Sequence, residues 1–139
     1  MSEDTVVALD DLMEGRHPSG VHRLEVDDPA GEVAGTLGTA DWRVLALTVD
    51  AASDKGSVLA GLATAGGFPG WVGANWDALL DALRDLSWAP AAGYGVLIDG
   101  WDEFAATDPT DARVLLDVLA DAATWWDDAG TPFHVLLRP

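Results

Sequence analysis

The chain has 139 residues, 49% of them hydrophobic, which suits one domain that buries about two-thirds of its unfolded surface and argues against disorder. No apolar run approaches the roughly 18 residues of a membrane span, and because cysteine is absent the sequence has no disulfides, thiolate nucleophiles or cysteine-based zinc sites. The formal net charge of −17 repels phosphate backbones and anionic membranes and attracts basic proteins, so we expect neither nucleic acid nor a membrane as a partner.

The first 40 residues are the hardest part of the chain to assign. They begin with Met-Ser-Glu-Asp, where a secretory signal has basic and then apolar residues, so we expect the protein in the cytoplasm. Residues 6–13 suit a short helical turn, residues 20–26 alternate like a strand, and residues 30–40 suit a weak helix. We therefore treat residues 1–40 as an N-terminal extension that is able to add a strand and a helix.

Beyond residue 40, three apolar runs predict buried strands. These runs are residues 42–49, 94–99 and 133–137. Helical patterns separate them, and a strand–helix–strand order implies right-handed crossovers between parallel strands. The sequence therefore predicts an α/β fold in which a small parallel three-stranded sheet packs against helices.

Capping residues mark the ends of two of these helices. A helix after the first predicted strand begins at Ser53 or Asp54 and ends at the glycine pair that starts with Gly66. A longer helix opens at Thr110 or Asp111 and precedes the last strand. The residues between the middle strand and this long helix are predicted as a loop.

A loop rich in glycine and proline, residues 67–75, leads into a third helix. Asn75 suits its N-cap, because the Asn side chain accepts a hydrogen bond from an otherwise unpaired amide of the first turn. Asp77, Asp81 and Asp85 then recur every four residues, a spacing at which like charges repel by about 0.2–0.5 kcal/mol per pair. This stripe is either a solvated helix face or the contact surface for a cationic partner, and the chain has only seven Lys and Arg to neutralise it internally.

Seven tryptophans are many for a chain of this length. Most of them flank predicted elements or lie on apolar helix faces, where core packing is the default. Trp71 differs, because it lies in the Gly/Pro loop before the Asp helix. Loops often carry recognition residues, and aromatics beside charges often anchor interfaces. Trp71 is thus either a core residue or a recognition residue.

The sequence offers little catalytic or metal-binding chemistry. The histidines His17, His22 and His134 have no helical spacing, so we expect no metal site, and His134 is expected to be packed in or at the edge of the last strand. No glycine-rich phosphate loop is present. Asp77 and Asp81 have the spacing of an acid/base couple, but nothing predicts a sugar cleft around them. We therefore expect no enzyme activity and no cofactor.

One motif resembles a known family. The pattern Phe68-Pro-x-Trp71-x-Gly73-x-Asn75-Trp76-Asp77-Ala78-Leu79-x-Asp81-x-Leu83 is similar to the barstar family, intracellular protein inhibitors of barnase-type secreted ribonucleases. The resemblance extends from residue 42 to residue 139, so it implies a barstar-like domain at residues 41–139. It also implies a function: blocking the active site of a basic, guanyl-specific extracellular ribonuclease in a one-to-one complex, which protects the producing cell and requires no oligomer.

The resemblance further implies roles for particular residues. Asp81 would be the principal phosphate mimic and would meet the catalytic arginines and histidine of the nuclease, while Asp77 would meet a second cationic cluster. Trp71 replaces a tyrosine that stacks on the catalytic histidine. An acidic residue on the long helix completes the site, and Asp121 is the best match. The predicted partner-binding residues are Trp71, Gly73, Asn75, Trp76, Asp77, Leu80, Asp81 and Asp121.

Two positions depart from the family pattern. Val72 replaces a common second aromatic residue, and Leu80 stands where some members have a tryptophan. Both changes would alter packing or partner choice without removing the acidic surface. An alternative function is therefore an acidic immunity or adaptor protein of the same fold that binds a different basic toxin or regulatory protein.

Overall fold

The computed structural model describes residues 6–7, 18–24 and 41–139. The strands are β1 (Val6–Val7), β2 (Gly20–Leu24), β3 (Trp42–Thr48), β4 (Gly93–Asp99) and β5 (Phe133–Arg138). The helices of this part are α1 (Lys55–Ala65), α2 (Trp76–Asp85), α3 (Trp101–Thr107) and α4 (Pro109–Ala129).

The strands form one parallel sheet in the order β1-β2-β5-β4-β3. This arrangement confirms the predicted α/β fold with a parallel sheet. The three predicted strands are its β3, β4 and β5, and two strands from the first 40 residues extend the sheet beyond β5. The alternating pattern predicted at residues 20–26 is a strand, as expected, over its described part Gly20–Leu24, and Val21 pairs with Val135 of β5. Residues 25 and 26 lie outside the described residues.

The helical turn predicted at residues 6–13 is wrong at the two residues that the structure describes. Val6 and Val7, expected in a helical turn, form β1 and pair with Arg23 and Leu24. Valine favours this outcome because its branched side chain suits a pleated sheet, and the pairing partner lies too far along the chain for a local pattern to reveal it. The rest of that predicted turn and the weak helix at residues 30–40 lie outside the described residues.

The helices pack on the sheet and on one another. α1 contacts β3, and α4 contacts β2 and β5. Among the described helices, contacts run from α1 to α2, from α2 to α4 and from α4 to α3. The central strands β4 and β5 are buried along almost their whole length, as expected of parallel strands covered on both faces. Through these contacts α2 packs against both α1 and α4.

The stretch predicted as a loop before the long helix is in fact helical. Residues Trp101–Thr107 form α3, in which the side chains of Trp101 and Phe104 are buried on one face. Its N-cap is Gly100, which makes no side-chain capping hydrogen bond, so the usual polar start signal is missing. Burial of the two aromatic side chains stabilises this short helix instead.

The long helix α4 begins at Pro109, one residue before Thr110 and two before Asp111, the two predicted starts. Asp108 is its N-cap and accepts a hydrogen bond from the backbone N–H of Asp111, and proline follows at the first helical position. Burial, together with the hydrogen bond and negative charge of Asp108, raises the pKa of the Asp111 carboxyl. Asp108 is thus the N-cap, and Asp111 lies in the first turn of the helix.

The sequence predicted that His134 is either packed in the last strand or at its edge. The structure shows a packed residue of β5. Its Nδ1 lies 3.0 Å from Nε2 of His22 on β2, and both side chains are buried. The indole of Trp42 stacks on the His134 ring, with 5.8 Å between the ring centroids. This polar contact joins the N-terminal strand β2 to the centre of the sheet.

Candidate partner-binding site

The loop that connects α1 to α2, residues 66–75 and hereafter the connecting loop, is tied down at its start. Gly66 ends α1 and donates its N–H to the carbonyl oxygen of Leu62 at 2.8 Å. Phe68 donates its N–H to Ala63 at 2.9 Å. Gly67 has a positive φ of 61°, a conformation that glycine adopts without strain. These bonds fix the direction in which the chain leaves α1.

Three aromatic rings brace the connecting loop. Trp88 contacts both Phe68 and Trp71 edge to face, at centroid distances of 5.8 and 6.0 Å. Its indole N–H donates to the carbonyl oxygen of Gly66 at 3.2 Å. Although it touches Trp88, Trp71 is 73% exposed. Of the two predicted alternatives for Trp71, a core residue or a recognition residue, the core residue is therefore wrong. The indole of Trp71 faces solvent.

The helix after this loop starts where the sequence predicts. Oδ1 of Asn75 accepts a hydrogen bond from the N–H of Ala78 at 2.8 Å, and Asn75 itself is extended. This confirms its role as the N-cap. Leu79, Ala82 and Leu83 are buried on the inner face of α2. The amphipathic pattern therefore sets which face of α2 remains outside.

That outer face carries the acidic stripe. Asp77, Asp81 and Asp85 are all exposed on α2. Within residues 18–24 and 41–139, the ion pairs of the structure join Arg23 to Asp102 and Arg138 to Asp99, and none involves the stripe. The three carboxylates are thus directed to solvent, unneutralised by any described Lys or Arg.

The remaining predicted residues of α2 and its loop surround this stripe. Gly73 is exposed, and Leu80 is half-buried against the core. Trp76 is also half-buried, and Nζ of Lys55 lies 5.8 Å from its ring centroid, a distance at which the cation is attracted to the ring face. Lys55 thereby covers part of Trp76, at the end of α2 nearest the connecting loop.

Asp121 lies on the helix next to α2. It is exposed on α4, and α4 packs against α2. The indole N–H of Trp126 on α4 donates to the carbonyl oxygen of Leu83 on α2 at 2.6 Å, which joins the two helices. Asp117, one turn before Asp121, is exposed as well. Exposed carboxylates are therefore present on both of these neighbouring helices.

The residue that supports Trp71 is not among those predicted from the sequence. Trp88 follows α2, and only its contacts with Phe68, Trp71 and Gly66 reveal that it braces the connecting loop. An aromatic residue just after a helix was the one available signal, and it predicted nothing more specific than core packing.

Neither a metal centre nor a membrane span is found in the described part of the chain. No group of three or more His, Cys, Asp or Glu side chains there is arranged to hold a metal ion. Likewise, none of its helices combines the length and apolar character needed to cross a bilayer. What α2 and the connecting loop offer chemically is exposed carboxylates on the helix and an exposed indole on the loop, groups suited to contact with a cationic surface.

Comparison with known proteins identifies the family. No curated protein matches the chain significantly. A family model described as Barstar (barnase inhibitor) matches residues 42–138, from the first residue of β3 to the last of β5. This match spans well over half of the chain and includes the connecting loop, α2 and α4. The chain therefore belongs to the barstar family.

Proposed function

We propose that this protein inhibits a basic, secreted, guanyl-specific ribonuclease of the barnase type by covering its active site inside the producing cell. The observation that carries the proposal is the stripe of exposed carboxylates on α2, which has no ion pair within the described residues and follows a loop that carries the exposed indole of Trp71. Membership of a family described as barnase inhibitors supports the same function.

The mechanism is occlusion without a chemical step. The carboxylates of Asp81 and Asp77 occupy the places where RNA phosphates bind, and the arginine and lysine side chains of the nuclease hold them there. Trp71 stacks on the catalytic histidine of the enzyme. Asp121 extends the negative surface on α4. Gly73, Asn75, Trp76 and Leu80 form the remaining contact surface around these groups.

Preorganisation makes such a surface effective. The Asn75 cap fixes the start of α2, and Trp88 holds the connecting loop against it. Little conformational entropy is then lost when the nuclease docks. In addition, the net charge of −17 accelerates encounter with a basic enzyme at low salt. Both effects act before any specific contact is made.

Titration of a barnase-type ribonuclease with the purified protein tests this function directly. We expect RNA cleavage to fall linearly to zero at one inhibitor per enzyme, because a one-to-one complex blocks the active site. The purified protein alone should cleave neither RNA nor other hydrolase substrates. Full nuclease activity in excess inhibitor would contradict the proposal. Capture of a different basic toxin or regulator by the same protein would then favour the immunity or adaptor function.

Replacing Trp71 by alanine should weaken inhibition while the fold stays intact. Because the Trp71 indole is 73% exposed, its loss removes little core packing but a large interface contact, and we expect the inhibition constant to rise at least about tenfold. The control is Trp125→Ala on α4, a position 44% exposed and outside the predicted site. If Trp71→Ala inhibits the nuclease as strongly as Trp125→Ala does, the side chain of Trp71 is not part of the contact surface.

A further inference from the structure

A small cavity opens between α1 and the connecting loop. Its volume is about 110 Å³, and none of its lining residues has a polar side chain. The walls that matter for its shape are Leu59, Ala60 and Ala63 of α1, Phe68 and Val72 of the connecting loop, and Leu79 of α2. The cavity therefore borders the same loop and helix that carry Trp71 and the acidic stripe.

The contacts of the loop keep this cavity open before any partner binds. Phe68 is held by its N–H bond to Ala63 and by the ring of Trp88. Val72 donates its N–H to Pro69 at 3.1 Å, which closes a turn at the opposite wall. With both walls fixed, an occupant gains contacts without first having to order the loop.

Size and polarity restrict what can occupy the cavity. An engineered protein cavity of about 150 Å³ accepts a benzene molecule, so a cavity of about 110 Å³ suits a single branched aliphatic side chain. A polar or charged side chain would lose its hydration without finding a side-chain hydrogen-bond partner. The occupant is accordingly an aliphatic group of about the size of leucine or isoleucine.

A carboxylate lies at one side of the cavity. On that side Gly56 lines it, and a Cβ built on Gly56 would lie 3.6 Å from Oδ1 of Asp54. A second copy of this chain, with its own charge of −17, is repelled from such a surface. An aliphatic side chain between basic residues is attracted to it.

We propose that this cavity receives one aliphatic side chain of the ribonuclease that the acidic stripe attracts, and that this side chain is flanked by basic residues on the nuclease. The proposal rests on the proposed function and adds to it an apolar anchor beside the carboxylates. The carboxylates attract any basic surface, whereas the cavity accepts only a surface with an aliphatic side chain at the matching position. The cavity thus selects among basic ribonucleases.

The first test fills the cavity with a side chain of this protein. Ala60 lines the cavity yet is exposed on α1, so Ala60→Leu occupies the space without overpacking the core. The matched control is Ala106→Leu, which places leucine at an exposed position of α3. Against a barnase-type ribonuclease we expect the inhibition constant of Ala60→Leu to rise at least about tenfold and that of Ala106→Leu to stay unchanged. Wild-type inhibition by Ala60→Leu would overturn the proposal.

A second test needs no nuclease. Two peptides, Lys-Arg-Leu-Arg-Lys and Lys-Arg-Ala-Arg-Lys, are titrated into the protein while its methyl NMR signals are followed. The leucine peptide is expected to shift the methyl signals of Leu59 and Val72 and to bind about 50-fold more tightly than the alanine peptide, because it buries about three more carbon groups. Identical affinities and shifts for the two peptides would overturn the cavity proposal.

The two tests separate the cavity from the inhibitory function. If the wild-type protein inhibits the nuclease but Ala60→Leu inhibits equally well, the function stands and the cavity proposal fails. If the wild-type protein inhibits no barnase-type ribonuclease but the leucine peptide shifts Leu59 and Val72, the function fails and the cavity remains an apolar binding site for basic partners.

Discussion

Replacing Asp81 by alanine is expected to weaken inhibition of a barnase-type ribonuclease by about 30- to 5,000-fold. This is the effect of removing one partner of a buried, hydrogen-bonded charge pair, about 2–5 kcal/mol, a range that draws on measurements of another member of this family. The loss is large because the arginines of the nuclease would be buried in the complex with no carboxylate opposite them. The measurement is the inhibition constant from RNA cleavage.

The same change should leave the free protein at least as stable. Asp81 is exposed, and its carboxylate lies between those of Asp77 and Asp85 on α2. Its removal relieves repulsion of about 0.2–0.5 kcal/mol per pair, and alanine is the best helix former. We therefore expect urea unfolding of Asp81→Ala to show an unchanged or raised free energy of unfolding. A weaker inhibitor that is also unfolded would not support the role of Asp81 in binding.

Asp85→Ala is the matched control for Asp81→Ala. It removes the same charge from the same stripe one turn later, so it changes the net charge of the protein equally. We expect it to raise the inhibition constant by less than about threefold, since an exposed charge outside the contact contributes mainly to the association rate. Equal losses for the two variants would show that net charge, and not a specific contact of Asp81, governs inhibition.

Replacing Gly100 by alanine is expected to lower the free energy of unfolding by about 2–5 kcal/mol. Gly100 has a φ of 84°, which strains any residue with a Cβ by about 1–2 kcal/mol. In addition, the new Cβ would overlap the backbone carbonyl oxygen of Val49, and relieving such an overlap costs about 1–3 kcal/mol. Val49 cannot retreat freely, because its N–H donates to Asp99 at 2.8 Å.

The variant Gly130→Ala separates the two causes of the lower free energy of unfolding, the positive φ and the overlap with Val49. Gly130 ends α4 with a nearly identical φ of 85°, but no atom lies within 4 Å of a Cβ built there. This variant should lose only the conformational part, about 1–2 kcal/mol. Denaturant unfolding of both variants measures the difference. If the two substitutions lower the free energy of unfolding equally, the contact between Val49 and the turn before α3 is not a constraint on the fold.

The elements with strong local patterns were predictable from sequence. The apolar runs of β3, β4 and β5 and the cap of α2 at Asn75 are present as predicted. The stripe of Asp77, Asp81 and Asp85 is on the exposed face, because the apolar residues of α2 determine which side of the helix is buried. Each of these features depends on residues only a few positions apart, so the local order of side chains is sufficient to predict it.

Features that depend on distant contacts were not predictable in the same way. α3 lacks a polar cap, and its stability comes from burial of Trp101 and Phe104 within the core. β1 is a strand because it pairs with β2. The roles of the predicted partner-binding residues also stay predictions, since contact with a nuclease involves groups outside this chain.

The sequence by itself determined the parallel α/β arrangement, the start of α2 and the spacing of its carboxylates, because periodicity and capping act over single helical turns and short strands. Only the tertiary structure decided that Trp71 is exposed while Trp88 is covered, since that depends on how the connecting loop packs between α1 and the end of α2. It alone also decided that a cavity remains beside the loop. Packing of segments distant in sequence leaves such spaces, and no local pattern records them.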